Sequence, residues 1–269
     1  MGDFSCEIKG HAVEFFEDGH TYLVDGVIVP SITQILSVKF GKKYAGISRA
    51  VLNKAAAAGT AVHEAIEDYC QTGFKAPYPE VRNFIFLQKH YGFEVLENEV
   101  PVILFLDDAP FAAGRLDLVL QMDGKVGGAD IKRTSTLDKE YLAYQLNLYR
   151  IAYRQCYGTE WEFLRGIHLR GETRKFVSIP IHEDLALGLA YEYKERKEGR
   201  HEQGDADRAA DEGCAAERGE HQCSEIHAGG EPEDEGRSGL PAVCGVREDR
   251  GDDREVCEEG ASSGRQRPA

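Results

Sequence analysis

Three side chains in the middle of the chain could do chemistry on a phosphate ester: Asp117, Asp130 and Lys132. They lie in FAAGRLDLVLQMDGKVGGADIKRT, residues Phe111 to Thr134. Asp123-Gly124 suits a two-residue hairpin turn, because both residues tolerate positive φ. With that pair at the tip, Met122 faces Lys125, Asp117 faces Asp130 and Arg115 faces Lys132. Side chains alternate between the faces of a strand, so these last four share one face. Leu116, Leu118, Leu120 and Ile131 take the other, which reads as buried. Two carboxylates directly opposite each other repel. A divalent cation between them reverses the sign, and carboxylates are oxygen ligands that Mg2+ or Mn2+ prefers. A lysine aimed at the same space can hold a nucleophile or offset charge on a phosphate. An ordinary amphipathic hairpin with a solvated face would carry the same residues, so the hairpin alone leaves both readings open.

Other elements must position such a site. AVEFFEDGHTYLVDGVIV, residues 12–29, predicts a small β-meander with turns at Asp18-Gly19 and Asp25-Gly26. Ser31 and Gln34 form a capping-box pattern that starts a short helix. Lys39, Lys42 and Lys43 cluster around Phe40 and could meet a phosphate backbone, although such clusters are often solvated loops. Residues 44–72 predict a helix interrupted at Gly59, where something could approach closely. His63 and Glu67 share a face of it. Taken alone, a helical histidine is more often packed than a ligand. Residues 79–91 predict another helix, residues 93–106 a strand pair or one long bent strand, and Leu137–Tyr157 a strongly periodic helix. Gln145 and Tyr149 lie one turn apart on it. Two strands, over 161–169 and 175–180, and a helix from His182 to about Lys197 complete the pattern.

Taken in order, GTAVHE with His63, GRLD with Asp117, DIK with Asp130 and Lys132, and QLNLY with Gln145 and Tyr149 resemble the RecB-type branch of the PD-(D/E)XK nucleases. The likeness is particularly to phage-type recombination exonucleases. Its motifs cover residues 59–150, and each is weak alone. The resemblance implies an α/β fold with a restriction-endonuclease-like core, a central mixed β-sheet flanked by helices. It implies that His63, Asp117 and Asp130 ligate Mg2+ or Mn2+, with the Ile131 carbonyl as a further ligand. Lys132 would position or help deprotonate the attacking water, and Gln145 and Tyr149 would orient the lysine or touch DNA. The activity implied is hydrolysis of DNA phosphodiesters by metal-activated water, in recombination or repair. Glu67 is a separate expectation from helical spacing, as a partner of His63. The resemblance also admits a homo-oligomer and a single-strand annealing partner, neither of them legible in the residues.

Composition bounds these readings. The 269 residues suffice for one substantial domain. No apolar run is long enough for a membrane span, and Met1–Gly10 lacks the apolar core of a secretory signal, so a cytoplasmic protein is expected. The net charge of −15 is misleading, because from Glu198 onward 20 acids face 9 arginines and no lysine. Residues 1–197 are nearly neutral and read as the nuclease domain, with the meander as an accessory. No Phe, Trp or Tyr follows Tyr193, so 198–269 reads as a disordered acidic tail. The switch from Lys to Arg there suggests a shifted reading frame. Cys214, Cys223, Cys244 and Cys257 lack a zinc spacing. Besides a site-specific restriction endonuclease, against which the Gln145–Tyr149 helix favours the exonuclease branch, two further readings stay open. One is an iron–sulfur nuclease of the CRISPR-adaptation type, which the scattered cysteines disfavour. The other is a catalytically silent DNA-binding module, which the intact set of acids and lysine disfavours.

Overall fold

The computed structural model describes residues 3–43 and 46–199. Expectations for the acidic tail and its four cysteines fall on residues outside that set. The fold is α/β, with an N-terminal antiparallel sheet and a mixed sheet flanked by helices. The first sheet has the order β1-β2-β3-β4, from Phe4–Ile8, His11–Phe16, Thr21–Val24 and Val27–Val29. Three of these were expected from alternation and turn chemistry. Asp25 and Gly26 take φ of 53° and 76°, as the tight β3–β4 turn requires. β1 was not expected, although Phe4, Cys6 and Ile8 alternate with Ser5 and Glu7 at the spacing of a strand.

The second sheet has the order β5-β6-β7-β8-β9. Its strands are Glu94–Leu106, Ala109–Met122, Lys125–Lys132, Phe163–Arg170 and Thr173–Ile179. Only β7 and β8 run parallel, and the helix α5 (Lys139–Tyr157) connects them. The β6–β7 register is the expected one: Met122 pairs with Lys125, and the ladder runs to Leu118 with Ala129. Asp123 and Gly124 sit at the tip with φ of 52° and 76°.

Helices cover both faces of this sheet, which is why β6 and β7 are apolar on both sides rather than alternating with solvent. On one side α3 (Arg49–Thr72) and α4 (Pro79–Tyr91) bury Val62, Ile66, Phe84 and Leu87 against Leu118, Leu120, Ala129 and Ile131. On the other, α5 buries Leu142, Leu146 and Tyr149 with Val119 and Leu164. Each such aliphatic side chain contributes about 1.5–3 kcal/mol. Leu116 was expected beside Leu118 but joins the α5-side core. The alternation breaks near the Val100–Leu116 pair, where Glu99 takes φ of 51°.

The helix ends follow sequence chemistry. Ser31 and Gln34 make the expected capping box on α1 (Ile32–Ile35), which is followed by α2 (Ser37–Phe40). Ser48 caps α3, and Asp138 caps α5 through the Tyr141 amide at 3.0 Å. α3 runs unbroken through Gly59, and a Cβ there would meet nothing within 4 Å, so the expected interruption and close approach are both absent. Residues 183–199 are helical (α6).

Glycines let α5 come close to β8 and let Trp161, just before β8, come close to β7. A Cβ on Gly166 would lie 2.5 Å from Leu142 Cδ2, and one on Gly128 would run into the Trp161 ring. Gly128→Ala should therefore destabilise the fold by about 1–3 kcal/mol, an overpacking cost. Chemical denaturation checks this, and a midpoint equal to the wild type would contradict the packing. Among the described residues no helix is long and apolar enough to cross a membrane.

Candidate metal centre

β6 and β7 stop pairing at Leu118–Ala129, one residue short of the two acids. Beyond that point the Asp117 side chain replaces the ladder: Ile131 N donates to its Oδ2 at 2.6 Å. The Ile131 carbonyl accepts from His63 Nε2 at 3.0 Å. Both polar groups of one residue on β7 are thus held by side chains from β6 and α3. Since a carbonyl can only accept, Nε2 carries a proton and Nδ1 is the nitrogen left to face the carboxylates. It lies 3.7 Å from Asp117 Oδ2 and 3.8 Å from Glu99 Oε1.

Glu99 completes the group. One ligand atom each from His63, Glu99 and Asp117 lie within 4.8 Å of one another. Glu99 comes from β5, where flanking pairs Asn98–Leu118 and Val100–Leu116 set it opposite Asp117. Its φ of 51° is a left-handed conformation that a strand residue with a Cβ adopts only at a cost of about 1–3 kcal/mol. The strain turns its carboxylate to the acid on the neighbouring strand. Arg115 Nε offsets part of its charge at 2.8 Å, and the Glu99 side chain is 8% exposed. Arg115 therefore serves Glu99 rather than facing Lys132. The residue that was expected beside the imidazole, Glu67, instead accepts from Gln71 Nε2 one turn along α3 at 3.1 Å. Glu99 takes that place.

Asp130 and Lys132 form a second part of the site. Lys132 Nζ lies 2.6 Å from Asp130 Oδ2, and the Asp130 side chain is 2% exposed. In the parallel ladder Asp130 pairs with Gly166 and Lys132 with His168. His168 is buried and its Nε2 donates to Thr134 O at 2.8 Å, tying down the chain just after the lysine. Arg133 Nε is held by Glu80 Oε1 at 3.0 Å, on the α4 side.

The electrostatics follow from crowding acids out of water. Burial lowers the His63 pKa, but Asp117 and Glu99 outweigh it and hold the imidazole up at about 9. Burial, then repulsion from Asp117, pushes Asp130 up to about 6 despite Lys132. Burial also raises the Asp117 pKa, against the pull of His63 and Lys132. For Lys132, burial works against the charge, but Asp130 and Asp117 prevail and raise its pKa. Lys132 is accordingly an ammonium near neutral pH. Two carboxylates crowded around one imidazole nitrogen suit a divalent cation, which would relieve their repulsion and displace the imidazole proton. A donor set of one imidazole nitrogen and carboxylate oxygens could hold a divalent cation and does not select one among them.

The QLNLY residues sit behind the strand. Tyr149 is buried, and its hydroxyl donates to Arg115 O at 3.0 Å. A Cβ on Gly114 would come within 3.0 Å of the Tyr149 ring, so glycine there lets the ring lie flat on β6. Gln145 is buried, and its Oε1 has no hydrogen-bond partner among the described residues. Among the hydrogen bonds of the described residues neither side chain reaches Lys132. Lys39 and Lys43 are paired with Glu140 and Asp138, at 2.9 and 2.6 Å, at the start of α5.

No family model matches the chain, and no curated protein matches it. Solved structures do. One is the crystal structure of SSO0001, 15% identical, with 61% of this chain and 73% of that chain covered at a TM-score of 0.36. A likeness at that score carries no argument about the site.

Proposed function

We propose that the chain is a divalent-cation-dependent deoxyribonuclease of the PD-(D/E)XK kind, an exonuclease of DNA recombination or repair. The observation that carries the reading is the convergence of His63 Nδ1, Glu99 and Asp117 within 4.8 Å, beside the buried Asp130–Lys132 pair. His63, Glu99 and Asp117 would hold the cation, with Asp130 next to them. Such an ion offsets charge developing on a phosphodiester and makes water a better nucleophile at neutral pH.

The chain's own residues supply the rest. Lys132, charged and fixed by Asp130, donates hydrogen bonds to the attacking water or to a non-bridging phosphate oxygen. In the reaction the water oxygen bonds to phosphorus, the P–O ester bond breaks, and the leaving oxygen takes up a proton. Arg115 limits the charge on Glu99, and Tyr149 fixes the Arg115 backbone. His63 holds the Ile131 peptide, so that Asp130 and Lys132 on either side of it keep their spacing. A binding module that had lost catalysis would have no use for a strained glutamate facing a buried aspartate.

The test is digestion of end-labelled linear and circular duplex DNA with Mg2+, with Mn2+ and with chelator. Release of nucleotides from linear DNA only, abolished by chelator, is expected. Binding without cleavage under every condition would leave the silent module standing instead.

The charge state of the imidazole adds a pH dependence. Below about pH 9 His63 carries a second proton that a cation must displace. Mn2+ affinity should therefore rise roughly tenfold per pH unit from neutral pH upward, levelling above the His63 pKa. Below about pH 6 it should fall more steeply, as Asp130 also protonates. Calorimetric titration in buffers of different ionisation enthalpy would reveal the released proton. An affinity independent of pH would remove His63 from the ligand set.

A further inference from the structure

The exposed face of α4 carries a row of rings and of cations that make no ion pair among the described residues. Arg82, Phe86, Lys89 and His90 follow the i, i+4, i+7, i+8 spacing of one helix face, and all four are exposed. The Arg174 guanidinium, from edge strand β9, sits 3.7 Å from the centre of the Phe86 ring. The His90 ring stacks on the same phenylalanine at 5.6 Å and 12°. Tyr91, 43% exposed, meets the edge of His90 at 4.8 Å and leans on Phe176 at 4.6 Å. Arg165 lies 5.5 Å over Phe176. Among the described residues none of Arg82, Lys89, Arg165 and Arg174 makes an ion pair, whereas Lys39 and Lys43 at the start of α5 are matched by acids.

The shelf is built onto the site. Arg174 donates to Asn83 Oδ1 at 3.2 Å, Asn83 Nδ2 to Gly171 O at 2.7 Å, and Gly171 N to Glu80 Oε1 at 3.0 Å. Glu80 in turn holds Arg133, the residue after Lys132. From Arg82 to His90 the helix rises about 12 Å, the length of roughly three to four stacked nucleotides. Planar groups interleaved with uncompensated cations suit a polyanion that carries flat bases. Aromatic rings and guanidinium planes take stacked bases, and cations meet the phosphates.

We propose that the α4–β9 face is a binding shelf for single-stranded nucleic acid, with bases extending the Arg174–Phe86–His90 column and phosphates meeting Arg82 and Lys89. It rests on the nuclease reading only for why a DNA strand would be near. The test is fluorescence anisotropy of a labelled mixed-sequence DNA decanucleotide against the whole protein in chelator, where nothing is cleaved. An abasic strand of equal length runs in parallel.

Phe86→Leu, which keeps an apolar side chain but no ring, should weaken binding roughly tenfold. Lys89→Glu, at an exposed residue that makes no ion pair among the described residues, should weaken it severalfold and flatten its salt dependence. The abasic strand should bind more weakly than the intact one. Equal binding by wild type and both variants, or an abasic strand held as tightly as the intact one, overturns the shelf. If that happens while Mn2+-dependent cleavage persists, the nuclease reading is untouched. If the variants lose binding but no cleavage is found with any cation, the shelf stands and the nuclease reading falls.

Discussion

Asp117→Asn is expected to reduce cleavage by about three orders of magnitude without unfolding the protein. The amide oxygen can still accept from Ile131 N, so the contact that ends the β6–β7 ladder survives. What disappears is the charge. His63 loses the carboxylate that does most to raise its pKa, and its titration should fall from about 9 toward the ordinary histidine value. Repulsion on Asp130 is relieved as well. The variant should be at least as stable as the wild type in chelator, yet gain little thermal stability when Mn2+ is added. Imidazole titration followed by NMR and cleavage kinetics check the two halves separately. Wild-type cleavage in Mg2+ would show that Asp117 is no ligand.

Lys132→Ala is expected to cost activity and stability together. The lost ammonium should lower turnover by about two to three orders of magnitude. It also leaves Asp130 buried without its partner, a loss of about 3 kcal/mol if the acid stays ionised. The pH sign follows from the direction of the shift. Asp130 is already raised to about 6, and without Lys132 it rises further. A raised acid favours the folded state while protonated, so the penalty is small near pH 5 and grows as pH rises through the folded pKa. Urea denaturation at pH 5 and pH 8 should show the variant's deficit only at the higher pH. Lys132→Met combined with Asp130→Asn should recover stability but no activity. A single variant equally deficient at both pH values would mean that the lysine's role is packing rather than charge.

Much of this arrangement was legible in the residues. The Asp-Gly turn fixed the hairpin register, and the register set Asp117, Asp130 and Lys132 near one another. The Ser31–Gln34 capping box and the periodicity of α4 and α5 depend on local chemistry and were readable for the same reason. Glu99 was not. In ENEV it looks like one more acid on a solvated strand, and only its left-handed φ and its place opposite Asp117 mark it out. Both are set by the pairing of distant segments. Had the hairpin register been extended to the preceding strand, an acid facing Asp117 would have come into view. Glu67 was misplaced because helical spacing says which residues share a face, not what the next layer brings to it. Gly59 misled for a related reason: an exposed helix carries a glycine at a modest propensity cost and need not break.

The claim on which the rest depends is that three side chains from α3, β5 and β6 share one cation. Crystals soaked in Mn2+ and measured near its absorption edge test it without any assumption about substrate. A single strong anomalous peak is expected in bonding contact with His63 Nδ1, Glu99 and Asp117, and its loss in Asp117→Asn crystals. A peak bound elsewhere, or none at these three residues in a protein that still cuts DNA, would contradict it.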